Sequence, residues 1–241
     1  MKQAAIFDLD GVIVDTARFH YLAWKRLAAE LGFQFTEAQN ERLKGVSRMQ
    51  SLEYLLDSGG LQNRFSQEEK EKMAARKNRW YGELIATLTE KDLLPGAERL
   101  LKELKAAGVA VVLGSASKNA PPILKSLGIQ ELFDAVVDGN MVQEAKPDPQ
   151  VFTLGAELVG IPYEDCAVFE DSQAGIEAAN RAGMYSIGVS RAGVLQGCKE
   201  QIADLSLIGG TSWYQKILLS SSEGDQSNVC LLYTSPSPRD S

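Results

Sequence analysis

A chain of 241 residues is long enough to bury a full core or to hold two domains, and its formal charge of −7, from 32 acidic against 25 basic side chains, disfavours a nucleic-acid-coating surface while leaving a small anionic ligand open. No apolar run approaches the roughly 18 residues of a membrane span and no signal-peptide core opens the chain. Its three cysteines, Cys166, Cys198 and Cys230, are scattered and odd in number, which excludes a C-x-x-C site and a disulfide framework, so the composition points to a cytoplasmic protein with neither nucleic-acid nor membrane partners.

In chain order, the first element is the apolar run Ala4, Ala5, Ile6, Phe7, which reads as a buried strand of a parallel sheet. Polarity then enters abruptly at Asp8, Asp10 and Asp15, and Gly11 permits a sharp turn or a close backbone approach. Carboxylates leaving a strand's carboxyl end in this way enter the crevice where open α/β sheets hold ligands. Two acids two residues apart repel unless a cation sits between them, and oxygen-only ligands favour Mg²⁺, which keeps waters and takes phosphate readily.

Residues 16–31 carry apolar positions near i, i+3, i+4 spacing, a helix stopped by Gly32. A polar segment leads to Leu43-Lys44-Gly45-Val46-Ser47-Arg48, then to residues 51–56 and a Gly59-Gly60 break, and a charged helix is predicted over 67–87. No convincing strand lies between residues 16 and 89. From Leu93-Leu94-Pro95-Gly96 onward, helix and strand signals alternate: helices at 97–107, 120–127, 149–159 and 174–182, and strands at 109–113, 135–137, 166–169 and 185–189. Glycines 108, 128, 160 and 183 close the four helices, and a last strand is expected within 203–208. Such alternation gives a parallel sheet. The expected fold class is α/β, a Rossmann-like parallel sheet core of residues 1–15 and 93–219, with a helical domain inserted at 16–92. Residues 220–241, rich in Ser and Pro, are expected to be a disordered and non-native tail.

Each later polar cluster follows a strand: Ser115-Ala116-Ser117-Lys118-Asn119 after the second, Lys146 after the third, and Glu170-Asp171-Ser172 after the fourth. Strands of one parallel sheet end on one side, so these segments converge on Asp8 and Asp10. Roles follow from charge and reach. Asp8, last on the strand, is the candidate nucleophile, with Asp10 exchanging a proton with the leaving or attacking hydroxyl. Glu170 and Asp171 complete a Mg²⁺ shell, while Lys146 and Ser115 balance and orient phosphoryl oxygens. Taken singly, these residues have plainer readings. Asp-Leu-Asp-Gly suits an ordinary turn, Ser115 and Ser117 suit helix caps, Lys146 a solvated charge, His20 a structural histidine, Trp24 a core residue and Arg48 either surface or phosphate contact. Convergence is what sets them apart.

The segments Phe7-Asp8-Leu9-Asp10-Gly11-Val12, Ser115, Lys146-Pro147 and Glu170-Asp171 resemble the four signature motifs of the haloacid dehalogenase-like phosphotransferases, and the inserted block is similar to their helical cap. Across about residues 1–214, the chain is similar to the family's sugar-phosphate mutases in Thr16, His20, Trp24, Lys44 to Arg48 with Ser51, Arg76-Lys77-Asn78, Ser115 to Asn119 and Glu170 to Ile176. The resemblance implies interconversion of β-D-glucose 1-phosphate and D-glucose 6-phosphate through bound β-D-glucose 1,6-bisphosphate, with Asp8 phosphorylated and Asp10 as general acid and base. It implies Mg²⁺ held by Asp8, the carbonyl of Asp10, Glu170 and Asp171. Thr16 and His20 would support the acid/base. Trp24, Gly45, Val46, Ser47, Arg48, Ser51, Lys77, Ser115, Ala116, Ser117, Lys118, Asn119 and Lys146 would bind substrate. Small-molecule sugar phosphates would be the partners of a monomer. A Mg²⁺-dependent sugar-phosphate phosphatase on the same core is the rival reading, and a nonenzymatic phosphate-binding module a more distant one.

Overall fold

The computed structural model describes residues 3–43 and 47–209. The expectations for Lys44, Gly45, Val46, Cys230 and the 220–241 tail fall outside the described residues. Residues Thr16–Leu88 form one compact unit, and the described residues on either side of them form the other. Among the described residues, no helix is long and apolar enough to cross a membrane.

The α/β unit is built on a parallel sheet of six strands in the order β3-β2-β1-β4-β5-β6. The strands are β1 (Ala4–Phe7), β2 (Ala110–Gly114), β3 (Ala135–Val137), β4 (Cys166–Glu170), β5 (Tyr185–Val189) and β6 (Glu200–Ile202). β1 is fully buried, as its unbroken apolar run predicts, and lies between β2 and β4. The strand order reverses between β1 and β4, which makes their carboxyl ends the topological switch point where such sheets bind ligands. Phe7 is level with Leu113 on one side and with Phe169 on the other, and the Phe7 and Phe169 rings stack at 4.5 Å between centroids. Asp8, Gly114 and Glu170, each the next residue along, therefore stand at one rim.

The connecting helices lie at Ala97–Ala106, Ala120–Ser126, Gln150–Val159 and Gln173–Arg181. Each predicted closing glycine, 108, 128, 160 and 183, has a positive φ. Ile6, Val112, Val137, Phe152, Val168 and Ala178 are wholly buried in one cluster, each large side chain contributing about 1.5–3 kcal/mol. One expectation fails. The last strand is residues 200–202, whereas residues 205–207 form a 3-10 turn. There the Asp204 carboxylate accepts from Ser206 N at 2.8 Å, and this local bond replaces a ladder partner.

The described elements of the second unit are all helical: Ala17–Glu30, Glu37–Asn40, the 3-10 turn Glu41–Leu43, Arg48–Ser58 and Gln67–Ile85. Ser66 and Glu69 cap the last of these reciprocally, with Glu69 N donating to Ser66 Oγ at 3.3 Å and Ser66 N to Glu69 Oε2 at 2.8 Å. Its buried stripe of Met73, Ala74, Lys77, Trp80, Tyr81 and Ile85 contains one charged residue, Lys77.

Candidate active site

The turn after β1 is braced by the backbone. Ile13 N and Val14 N donate to Leu9 O at 2.9 and 3.1 Å, and Gly11 N donates to Val14 O at 2.8 Å. Asp8 is buried while Asp10 is half-buried on that turn. Gly11 has φ +81°, and a Cβ there would lie 1.9 Å from Asp171 Oδ2, so only glycine lets the two loops approach this closely.

Four predicted residues meet at this rim. Lys146 Nζ donates to Asp8 Oδ1 at 2.5 Å and to Glu170 Oε2 at 2.7 Å. The other Glu170 oxygen, Oε1, accepts from Ser172 N at 3.1 Å and from Ser172 Oγ at 2.6 Å. Ser172 Oγ in turn accepts from Gly175 N at 3.1 Å, capping the helix that follows. Carboxylate oxygens of Asp8, Glu170 and Asp171 lie within 4.8 Å of one another.

The electrostatics reflect that crowding. Burial, with the charges of Glu170 and Asp171, raises the Asp8 pKa well above the usual carboxylate range against the pull of Lys146. Burial and the neighbouring Glu170 and Asp10 push Asp171 up to about 7. Burial alone would lower the Lys146 pKa, but Asp8 and Glu170 outweigh it and raise the value. A cluster of mutually repelling carboxylates with only hard oxygen donors suits a divalent cation such as Mg²⁺, which would relieve the repulsion.

The predicted phosphate loop follows β2. Ser115 is buried, and its backbone N–H donates to Val137 O at 3.0 Å. Its Oγ accepts from Ser117 N at 3.1 Å, and Ser117 Oγ accepts from Asn119 N at 3.3 Å, so the two hydroxyls shape the loop they sit on. Ala116 and Lys118 are exposed and Asn119 is half-buried before its helix. Asn140 Nδ2 supports the loop by donating to Lys118 O at 3.3 Å.

In the helical unit, a second polar cluster gathers. Lys77 Nζ lies 2.7 Å from His20 Nδ1, and Tyr81 donates its hydroxyl to Thr16 Oγ1 at 3.1 Å. The His20 ring stacks on Tyr81 at 3.9 Å, while Lys77 Nζ lies 4.6 Å from the Trp24 ring centre. Burial and the charge of Arg48 bring the Lys77 pKa down to about 7. Burial, Lys77 and Arg48 hold His20 well below its ordinary value. A neutral His20 accepting from a Lys77 ammonium satisfies both groups. Trp24 is 2% exposed and belongs to the core of its unit. Ser47 caps the helix that begins at Arg48, accepting from Gln50 N at 3.3 Å. Ser51 is buried one turn further on, and Arg48 is exposed.

Sequence reasoning placed Ser172 and Gly175 in the segment after β4 without giving either a role, and passed over Tyr81. A Ser placed two residues after Glu170 at the start of a helix was the available signal for the first. Nothing in the pattern marks Tyr81 apart from its place on the apolar stripe.

Comparisons with known proteins fit this geometry. The haloacid dehalogenase-like hydrolase family matches residues 2–183. The chain is 45% identical over 208 residues to the beta-phosphoglucomutase of Bacillus subtilis, covering 85% of this chain and 92% of that protein. It is 33% identical over 188 residues to a phosphorylated carbohydrates phosphatase of Thermotoga maritima, covering 77% and 83%. The crystal structure of beta-phosphoglucomutase from Clostridium difficile superposes with a TM-score of 0.81 at 40% identity, covering 91% of this chain and 98% of that one. The chain belongs to the haloacid dehalogenase-like hydrolase family.

Proposed function

We propose that this enzyme is a Mg²⁺-dependent phosphomutase that interconverts β-D-glucose 1-phosphate and D-glucose 6-phosphate through β-D-glucose 1,6-bisphosphate, acting as a cytoplasmic monomer. The observation that carries the reading is the meeting of Lys146 with both Asp8 and Glu170, at 2.5 and 2.7 Å, beside Asp171. The likeness to the Bacillus subtilis beta-phosphoglucomutase over 92% of that protein supports the choice of sugar.

In this reading, an Asp8 oxygen forms a bond to phosphorus as the sugar C–O–P ester oxygen leaves, and Asp10 delivers the proton that the leaving oxygen needs. Phosphorylated Asp8 then gives its phosphoryl group to the C6 hydroxyl of β-D-glucose 1-phosphate, and Asp10 takes the hydroxyl proton. The bisphosphate turns round, Asp8 accepts the C1 phosphoryl group, and D-glucose 6-phosphate departs. Lys146 and the Ser115 loop bind the phosphoryl oxygens during both transfers. Asp8, the Asp10 carbonyl, Glu170 and Asp171 would hold Mg²⁺, which would offset the charge of carboxylate and phosphate. In the helical unit, Thr16 and His20 orient the acid/base. In this reading Arg48, Ser117 and Asn119 bind the phosphate that is not being transferred.

A sugar-phosphate phosphatase is the second reading, favoured by the 33% identity to the Thermotoga maritima phosphatase. Supplying β-D-glucose 1-phosphate, Mg²⁺ and a trace of the bisphosphate, then measuring glucose 6-phosphate against free phosphate, separates the two. A mutase yields glucose 6-phosphate in large excess. Sustained phosphate release without isomerisation identifies a phosphatase.

A further inference from the structure

Glu170 is fixed at both oxygens, by Lys146 and by Ser172, whereas Asp171 stands on the loop between β4 and the following helix. The support for that loop comes from its far side. Gln173, the first residue of the helix, makes a reciprocal pair with the backbone of Gln196: Gln173 Nε2 donates to Gln196 O at 3.0 Å, and Gln196 N donates to Gln173 Oε1 at 2.9 Å. The segment that Gln196 belongs to, between β5 and β6, is itself pinned on two other sides. Buried Gln201 of β6 donates to Gly193 O at 2.7 Å and accepts from Leu195 N at 2.9 Å. Asn180, near the other end of the Gln173 helix, donates to Gly197 O at 2.9 Å and accepts from Ser186 Oγ of β5 at 2.7 Å.

We infer that Gln173 is a positioning residue for the divalent-ion cluster, locking the Glu170-Asp171-Ser172 loop to the 193–197 segment so that Asp171 keeps its ligand geometry. A glutamine amide matches a backbone peptide in both donor and acceptor, so one side chain supplies two bonds to an already rigid strap. An exposed Gln would otherwise lose its rotamer freedom for no return, and holding it in one place is justified only by what it holds. Groups bonded directly to metal ligands change metal affinity by roughly 10–100-fold when lost, and Gln173, acting one step further out through the loop backbone, is assigned the lower end of that range. The inference rests on reading Asp8, Glu170 and Asp171 as a divalent-ion site.

The test is direct Mn²⁺ binding to the metal-stripped, substrate-free protein, with free Mn²⁺ followed by electron paramagnetic resonance. The variants are Gln173→Met, which keeps the side-chain length and removes both bonds, Gln196→Ala, which keeps the backbone groups Gln173 uses, and Asn180→Ala, which loosens the same segment away from the ion. Gln173→Met is expected to raise the Mn²⁺ Kd about tenfold, with Gln196→Ala and Asn180→Ala within about twofold of the unsubstituted enzyme. Saturating Mg²⁺ is expected to restore most of the turnover of Gln173→Met. A Gln173→Met Kd unchanged within twofold overturns the inference, and so does an equal loss in Asn180→Ala, which would mean general loosening. If the unsubstituted protein binds no Mn²⁺, the ion-site reading falls and takes the inference with it, a result distinct from the other two.

Discussion

Lys146 Nζ lies 2.5 Å from Asp8 Oδ1, and the same ammonium lies 2.7 Å from Glu170 Oε2. One buried cation thus holds the proposed nucleophile against a proposed metal ligand. Removing it leaves Asp8, already raised in pKa by burial, facing Glu170 and Asp171 with no ammonium to oppose them. Lys146→Met is expected to lower turnover by roughly 10²–10³-fold, the usual loss of a preorganised charge at a reacting oxygen. Steady-state kcat at saturating sugar phosphate measures it, and a loss under about tenfold would remove Lys146 from the chemistry.

Gly175 offers a steric test without backbone strain. A Cβ at Gly175 would stand 2.0 Å from Glu170 Cδ, so Gly175→Ala must push that carboxylate off its place. Mn²⁺ affinity is expected to fall by roughly 10–100-fold. Gly183→Ala is the control: φ there is +73° and nothing lies within 4 Å, so it costs about 1–2 kcal/mol of stability and leaves the ion site alone. Equal Mn²⁺ affinity in the two variants would contradict the packing described.

The His20 and Lys77 pair makes stability depend on pH, with a definite sign. The Lys77 pKa falls from its ordinary 10.5 to about 7 in the fold. Between those values the unfolded chain holds a proton that the folded chain has released, so stability rises with pH across that window. His20, held well below 6.5 in the fold, protonates first in the unfolded chain, so stability also falls as the pH drops through the ordinary histidine range. Lys77→Met abolishes the upper window and leaves the lower one. Urea midpoints at pH about 7 and about 9.5 are expected to improve more for the unsubstituted protein than for Lys77→Met. Parallel curves would show that Lys77 titrates normally.

The proposed phosphate contact of Arg48 allows binding to be separated from phosphorylation by experiment. It stands exposed at the first position of its helix, and its planar guanidinium suits a phosphate better than lysine does. Arg48→Ala is expected to raise the KM for both glucose phosphates by about tenfold or more. Phosphorylation of the enzyme by a small acyl phosphate is expected to continue at its usual rate. Equal losses in both assays would place Arg48 in the transfer step itself.

The order of sheet and helices was legible because apolar runs and closing glycines mark strands and helix ends locally. Ala4 to Phe7 announces β1, and Asp8 announces its end. The rim residues were legible for a related reason: in a parallel sheet, polarity that follows each strand must gather on one side. Residues 205–207 misled because Leu205 is buried like a strand residue, while Asp204 folds the backbone into a turn that hydropathy does not record. What escaped reading was the supporting layer. Gln173 meets Gln196 across 23 residues, and Tyr81 packs on His20 from another helix. Those pairings depend on distances that only the folded chain sets.

Covalent capture of the phosphoryl group tests the central step most directly. The enzyme is mixed with β-D-glucose 1,6-bisphosphate and Mg²⁺, quenched in acid, digested and mapped by mass spectrometry, beside an Asp8→Asn variant. The expected result is one phosphoryl group on the peptide containing Asp8, absent from Asp8→Asn, whose mutase activity is lost. Turnover that persists in Asp8→Asn, or a phosphoryl group found on another residue, would contradict it.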